Sequence, residues 1–118
     1  MKQIIIDRNT WIRGEGSGLS YLLRKMDNHR CCLGFLSQQC GIPDKQLLGS
    51  PSVESALCKE FGVVLPDELA FLMDRGNNSS LAYKLMKLND NHDISNEDRE
   101  RQLTEEFAKQ GFELVFTN

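Results

Sequence analysis

Short β-type apolar runs stand at both ends of this chain, and helical apolar spacing lies between them. Residues 2–6, Lys-Gln-Ile-Ile-Ile, read as a strand: a β-branched run that stops at Asp7-Arg8-Asn9. Trp11-Ile12-Arg13 is a second short extended piece. Gly14-Glu15-Gly16-Ser17-Gly18 is a loop, because three glycines in five residues carry too much conformational entropy for the interior of an element. Leu19, Leu22, Leu23 and Met26 share one face at three- and four-residue spacing, which predicts a helix from Leu19 to Lys25 or Met26.

Asp27-Asn28 breaks that helix. With Asn28 as N-cap, residues 29–40 form the next, with Cys32, Phe35, Leu36 and Gln39 or Cys40 on one side. Gly41 and Pro43 end it, and residues 43–48 make one further turn. The stretch from Leu47 to Val64 has the least decisive pattern. Within it, Glu54–Phe61 reads as a helix ended by Gly62. Pro66 starts another that runs to about Asp74, and Asn77-Asn78-Ser79 is a turn and cap. Leu81–Leu88 is a helix with Leu81, Leu85 and Leu88 on one side. Ser95 and Asp98 form a variant of the capping box, opening a helix from Asn96 to Lys109 with Leu103 and Phe107 inward. Gly111 stops it, and 112–116 alternates as a strand. The fold class is therefore α+β: five or six short helices, with the N- and C-terminal strands paired in one small sheet.

A chain of 118 residues fits a single domain, 1–118, and buries roughly two thirds of its unfolded surface without a metal or disulfide staple. Hydrophobic residues at 40% with 26% charged residues exclude a disordered chain. No apolar run reaches the roughly 18 residues of a membrane span, and Ile4-Ile5-Ile6 is too short for a signal-peptide core. The expected location is cytoplasmic, so all four cysteines are read as reduced thiols. Residues 1–50 carry seven Lys/Arg against four Asp/Glu, and residues 51–118 carry seven against thirteen. That polarity can orient a partner. Arg8, Arg13, Arg24, Lys25 and Arg30, with Trp11 and Tyr21, could hold a nucleic-acid strand, but the acidic second half disfavours it.

Three places could carry chemistry. Cys31 and Cys32 fall in the first turn of the helix expected from Asn28, where the dipole favours a thiolate, and His29 or His92 could act as base. Against this, cysteine most often packs as a small buried hydrophobe. The loop formed by Arg13, Gly14, Gly16, Ser17 and Gly18 before a helix suggests an anion nest. It lacks P-loop or dinucleotide-fold spacing, and Glu15 would repel phosphate. Asn89 and Asp90 open an Asp/Asn-rich stretch, read as a turn rather than a calcium loop because Ile94 stands where such a loop needs glycine. The cysteines show no paired spacing of the zinc kind, so no metal and no cofactor are expected.

Three segments together resemble a family of small uncharacterised phage, prophage and bacterial proteins: Trp11-Ile12-Arg13-Gly14, Cys31-Cys32-Leu33-Gly34-Phe35, and Leu85-Met86-Lys87-Leu88-Asn89-Asp90 leading to Arg99-Glu100 and Phe107. The resemblance spans most of the chain and brings no activity with it. It implies a phage or mobile-element origin and a host component as target. The leading expectation is a non-enzymatic interaction protein acting on a host protein or a small signalling ligand. The alternatives are a cysteine-dependent hydrolase or transferase using Cys31 or Cys32, and a homo-oligomer that holds an anionic nucleotide in the Gly14–Gly18 loop.

Overall fold

The computed structural model describes residues 1–16, 18–57, 64–73 and 81–118. Its elements run β1 (Lys2–Asp7), α1 (Cys32–Gln39), α2 (Asp44–Leu47), α3 (Val53–Leu57), a 3₁₀ helix (Asp67–Met73), α4 (Leu81–Asp90), α5 (Asn96–Lys109) and β2 (Phe112–Thr117). The strands pair in parallel, from Lys2 opposite Phe112 to Asp7 opposite Thr117, so the α+β fold expected from the sequence is the one observed. Period-2 alternation sends Ile4, Ile6, Phe112 and Leu114 into the core. The Ile5–Val115 pair is left on the other face.

Helix α5 packs on β2 and on α4. Ser95 caps it by accepting a hydrogen bond from the Asp98 amide (3.1 Å), and Leu103 and Phe107 are fully buried. Glu100 is half-buried and accepts from two nitrogens of the Arg8 guanidinium at 2.9 and 2.8 Å. That pairing holds its carboxyl below the usual range.

The first half departs most from the sequence reading. Residues 19–26 are not helical. Leu22 and Leu23 are buried, but Leu19 is 49% and Met26 78% exposed, so the four residues share no common face. The segment instead makes extended contacts: Leu22 N donates to Ser50 O, Gly49 N donates to Leu23 O, and Leu23 forms a bridge with Leu48. Asn28 adopts a left-handed φ of 61° and is not a helix cap. The helix starts three residues later than expected, because Arg30 first pairs with Trp11 in an isolated parallel bridge. Trp11 is thus extended, as expected.

Elsewhere the differences are smaller. The turn at 43–48 is α2. The helix expected over 54–61 corresponds to α3, which begins at Val53; residues 58–61, Cys58 among them, lie outside the described residues, as do Asn77-Asn78-Ser79. The helix expected from Pro66 is a 3₁₀ helix. Helix α4 continues past Leu88 and absorbs Asn89 and Asp90 into its last turn. The Asx turn falls instead on Asn91, whose side chain accepts from the Asp93 amide (2.8 Å).

Helix α1 lies tight against the chain at Leu22. A Cβ on Gly34 would meet the Leu22 carbonyl oxygen at 2.1 Å, so no larger residue fits without moving backbone. The glycine of the Cys-Cys-Leu-Gly-Phe segment is therefore a close-approach position. It lets the helix bury Leu33, Phe35 and Leu36 together.

Candidate functional site

The C-terminal end of α4 gathers most of the residues that the sequence marked as candidates. At its centre is Asn89, fully buried. Its side-chain oxygen accepts from Trp11 Nε1 (2.9 Å) and from the Cys32 backbone amide (3.0 Å). Its amide nitrogen donates to Ile12 O (2.9 Å) and Asp90 Oδ1 (3.0 Å), with Ser20 Oγ at 3.4 Å. One side chain thus ties the Trp11 strand, the start of α1 and the end of α4 together. An amide suits this role because it offers a donor and an acceptor without a charge to desolvate.

Arg99 closes the same helix end. It is almost fully buried on α5, and its guanidinium donates to the carbonyls of Leu88 (3.0 Å), Asn91 (2.6 Å) and Ile94 (3.2 Å). A cation there complements the negative pole of α4 and satisfies carbonyls that a helix leaves unpaired. Burial, and then the neighbouring Arg13 charge, lower its pKa from the usual arginine value. Arg99 was not a candidate from sequence. The available signal was its place four residues before Leu103 and eight before Phe107, on the buried stripe.

The glycine-rich loop docks on this helix end, and two of the amides that an anion nest would use are already taken. The amides of Gly14 and Gly16 donate to the carbonyls of Asn89 (2.8 Å) and Asp90 (3.0 Å), so neither points at an empty cradle. Gly14 has a φ of +67°, and a Cβ there would crowd the Arg99 guanidinium at 2.9 Å. Arg13 lies over the Trp11 ring at 4.7 Å and donates to Arg8 O. Ser17 lies outside the described residues. Gly18 lines the open groove described below.

The cysteine pair sits in a different environment from the one a thiolate needs. Cys31 and Cys32 are both fully buried, and Cys31 holds the position before the helix with extended backbone. Burial pushes the Cys31 thiol up to about 12 and the Cys32 thiol well above its ordinary value. Desolvation of the charged form outweighs the helix-start amides. Neither histidine is directed at them. His29 Nδ1 lies 3.4 Å from Asp27 Oδ2, and His92 Nε2 lies 3.3 Å from Asp93 Oδ1 at the surface. Cys31, Cys32 and Cys40 are free thiols. Among the described residues, no group of three His, Cys, Asp or Glu side chains is placed to hold a metal ion. No helix is long and apolar enough to cross a membrane in that same set.

Beside the buried knot, the other face of α4 opens onto a broad groove of about 1370 Å³. Tyr21, Pro51, Tyr83, Met86 and Leu88 supply its apolar lining, and Tyr83 is 50% exposed. Lys84, Lys87 and His92 stand on its rim, and Asp90 is its acidic member. Lys84 is held by Glu106 (3.0 Å), while the Lys87 ammonium lies 5.4 Å over the Tyr83 ring. Asp90 accepts from Ser20 Oγ, which fixes the loop wall against the helix. The structure thus brings Gly16, Gly18, Asp90 and His92 to one place, without either cysteine in the groove lining. Tyr83 and Met86 were not singled out in the sequence. Their three-residue spacing off the Leu81–Leu85–Leu88 stripe was the signal for a second apolar face. Compared with known proteins, the chain matches no family model, no curated protein and no solved structure, so its function rests on this geometry.

Proposed function

We propose that this chain is a non-enzymatic interaction protein that takes a segment of another protein into the groove beside α4. The observation that carries the reading is the contrast at one helix end. The Asn89 amide and the two terminal nitrogens of Arg99 are engaged inside, while Tyr21, Tyr83 and Met86 line an open surface next to them. Tyrosine and methionine are enriched at protein interfaces, where each offers a large apolar area that adapts to a partner. The volume of about 1370 Å³ exceeds the roughly 300–1,000 Å³ typical of small-molecule pockets. An open groove of that size suits an extended or helical peptide better than a small anionic ligand. Lys84 and Lys87 favour an acidic flank on that peptide. The resemblance to phage and prophage proteins makes a bacterial host protein the expected partner class.

Site-specific photo-crosslinking tests the reading. A crosslinking residue in place of Tyr83 should give a discrete adduct from bacterial host lysate. The same residue in place of Arg101, on the exposed face of α5, should not. Equal labelling from both positions, or none from either, would remove the groove as the binding surface.

A further inference from the structure

Among the described residues, the two outer edges of the small sheet are treated differently. In the parallel register, Lys2 N donates to Gly111 O and Arg8 N donates to Thr117 O. Even-numbered residues of β1 and odd-numbered residues of β2 therefore face one another. The backbone of Ile5 faces outward on the β1 side, and there the Gln39 side chain closes it. The Gln39 amide accepts from Ile5 N (2.8 Å) and donates to Ile5 O (2.7 Å), reproducing one rung of a ladder. On the β2 side, Phe112, Leu114 and Phe116 face outward, and their N–H and C=O groups take no hydrogen-bond partner among the described residues. Helix α5 and β1 are the described elements packed extensively on β2. The strand, Phe-Glu-Leu-Val-Phe-Thr, contains no proline or lysine and only one charge, Glu113. Natural sheets commonly use such residues to blunt an edge.

We propose that this edge pairs with the same edge of a second copy, antiparallel about Leu114, to make a continuous four-stranded sheet. The occupant is argued from self-complementarity. Outward-facing residues must meet as hydrogen-bonded pairs, which sets Leu114 opposite Leu114 of the other copy and Phe112 opposite Phe116. That register places Glu113 opposite Val115 and brings no like charges together across the edge. It forms roughly six new backbone hydrogen bonds and gives a sheet of ordinary strand number. The groove lining includes no residue of β1 or β2, and the pairing does not depend on the groove's function.

The test uses the full chain. Sedimentation over about 10 μM to about 1 mM, the range in which a small edge interface would associate, should show the 13.4 kDa chain passing to twice that mass. Val115→Glu sets a carboxylate against Glu113 at both ends of the interface and should leave only monomer. Val115→Lys sets opposite charges together and should keep or strengthen the dimer. Both changes are on the face away from the core, and circular dichroism checks that both variants fold. Hydrogen exchange gives an independent readout. The amides of Phe112, Leu114 and Phe116 should become protected with rising concentration, whereas those of Glu113 and Val115, already in the ladder, should not change. A chain that stays monomeric throughout, two Val115 variants that behave alike, or outward amides insensitive to concentration would each overturn the proposal.

Discussion

Helix α4 presents two faces of opposite character within a few residues of each other. Toward the core, Asn89 and the Arg99 cap engage the backbone of three neighbouring segments. Toward solvent, Tyr83 and Met86 line the groove, with the Lys87 ammonium over the Tyr83 ring. The residue types most suggestive of chemistry, the cysteines and the Asn-Asp pair, belong mainly to the first face. The residues best suited to contact a partner belong to the second. Buried polar groups are retained where they specify one arrangement of the chain, and leaving any of them unpaired is expensive.

The contrast predicts a graded series of effects. Asn89→Ala orphans Trp11 Nε1, the Cys32 amide and Ile12 O together. At about 1–3 kcal/mol for each buried unpaired group, a loss of about 4 kcal/mol or more is expected in denaturant titrations. A loss under about 1 kcal/mol would show that the inner face is not what holds this helix end. Gly34→Ala drives a Cβ into the Leu22 carbonyl and should destabilise by about 3 kcal/mol, with no effect on the groove.

The thiols report on the same boundary. Cys31 and Cys32 should resist a thiol reagent at pH 8 in the folded chain and react on unfolding. Fast native labelling of either would reopen the cysteine-enzyme reading. The acid limb of stability is a smaller effect. The Arg24 guanidinium, with the His29 amide, holds Asp27 down to about 2, below its unfolded value. The unfolded chain therefore takes up this proton first. The contribution is complete above the unfolded pKa and is lost as pH falls toward 2. Asp27→Asn should flatten that part of the pH–stability curve, and an unchanged acid limb would contradict the assignment. Least of all in stability, Tyr83→Ala should change unfolding by no more than about 0.5 kcal/mol while abolishing capture of the groove's partner. A large stability loss with binding intact would reverse the roles of the two faces.

Legibility from sequence followed the same division. The helix from Asn96 to Lys109 and its Ser95 cap could be read at residue level, and the two terminal strands to within one residue at their C-terminal ends. Their signals are local: a capping side chain, an i, i+4 stripe and strict alternation. The segment 19–26 misled because four apolar residues at helical spacing are equally compatible with an extended chain that buries two of them against Ser50 and Leu48. Asn28 misled because asparagine suits both an N-cap and the left-handed turn it adopts. The candidate set was gathered only in part. Asn89 and Asp90 were marked but read as a turn, and Tyr83 and Met86 were not marked.

By itself, then, the sequence determined the elements with self-contained signals: both strands, α5 and its cap, the turn at Gly41 and Pro43, and the α+β class that follows. Tertiary structure alone decided what the ambiguous residues do. The depth at which Cys31 and Cys32 lie, the carbonyls that Arg99 and the Gly14–Gly16 loop find, and the open lining around Tyr83 all depend on segments far apart in the chain. The physical reason is that capping and periodicity are interactions between near neighbours. Burial, and the satisfaction of buried polar groups, are properties of the packed whole.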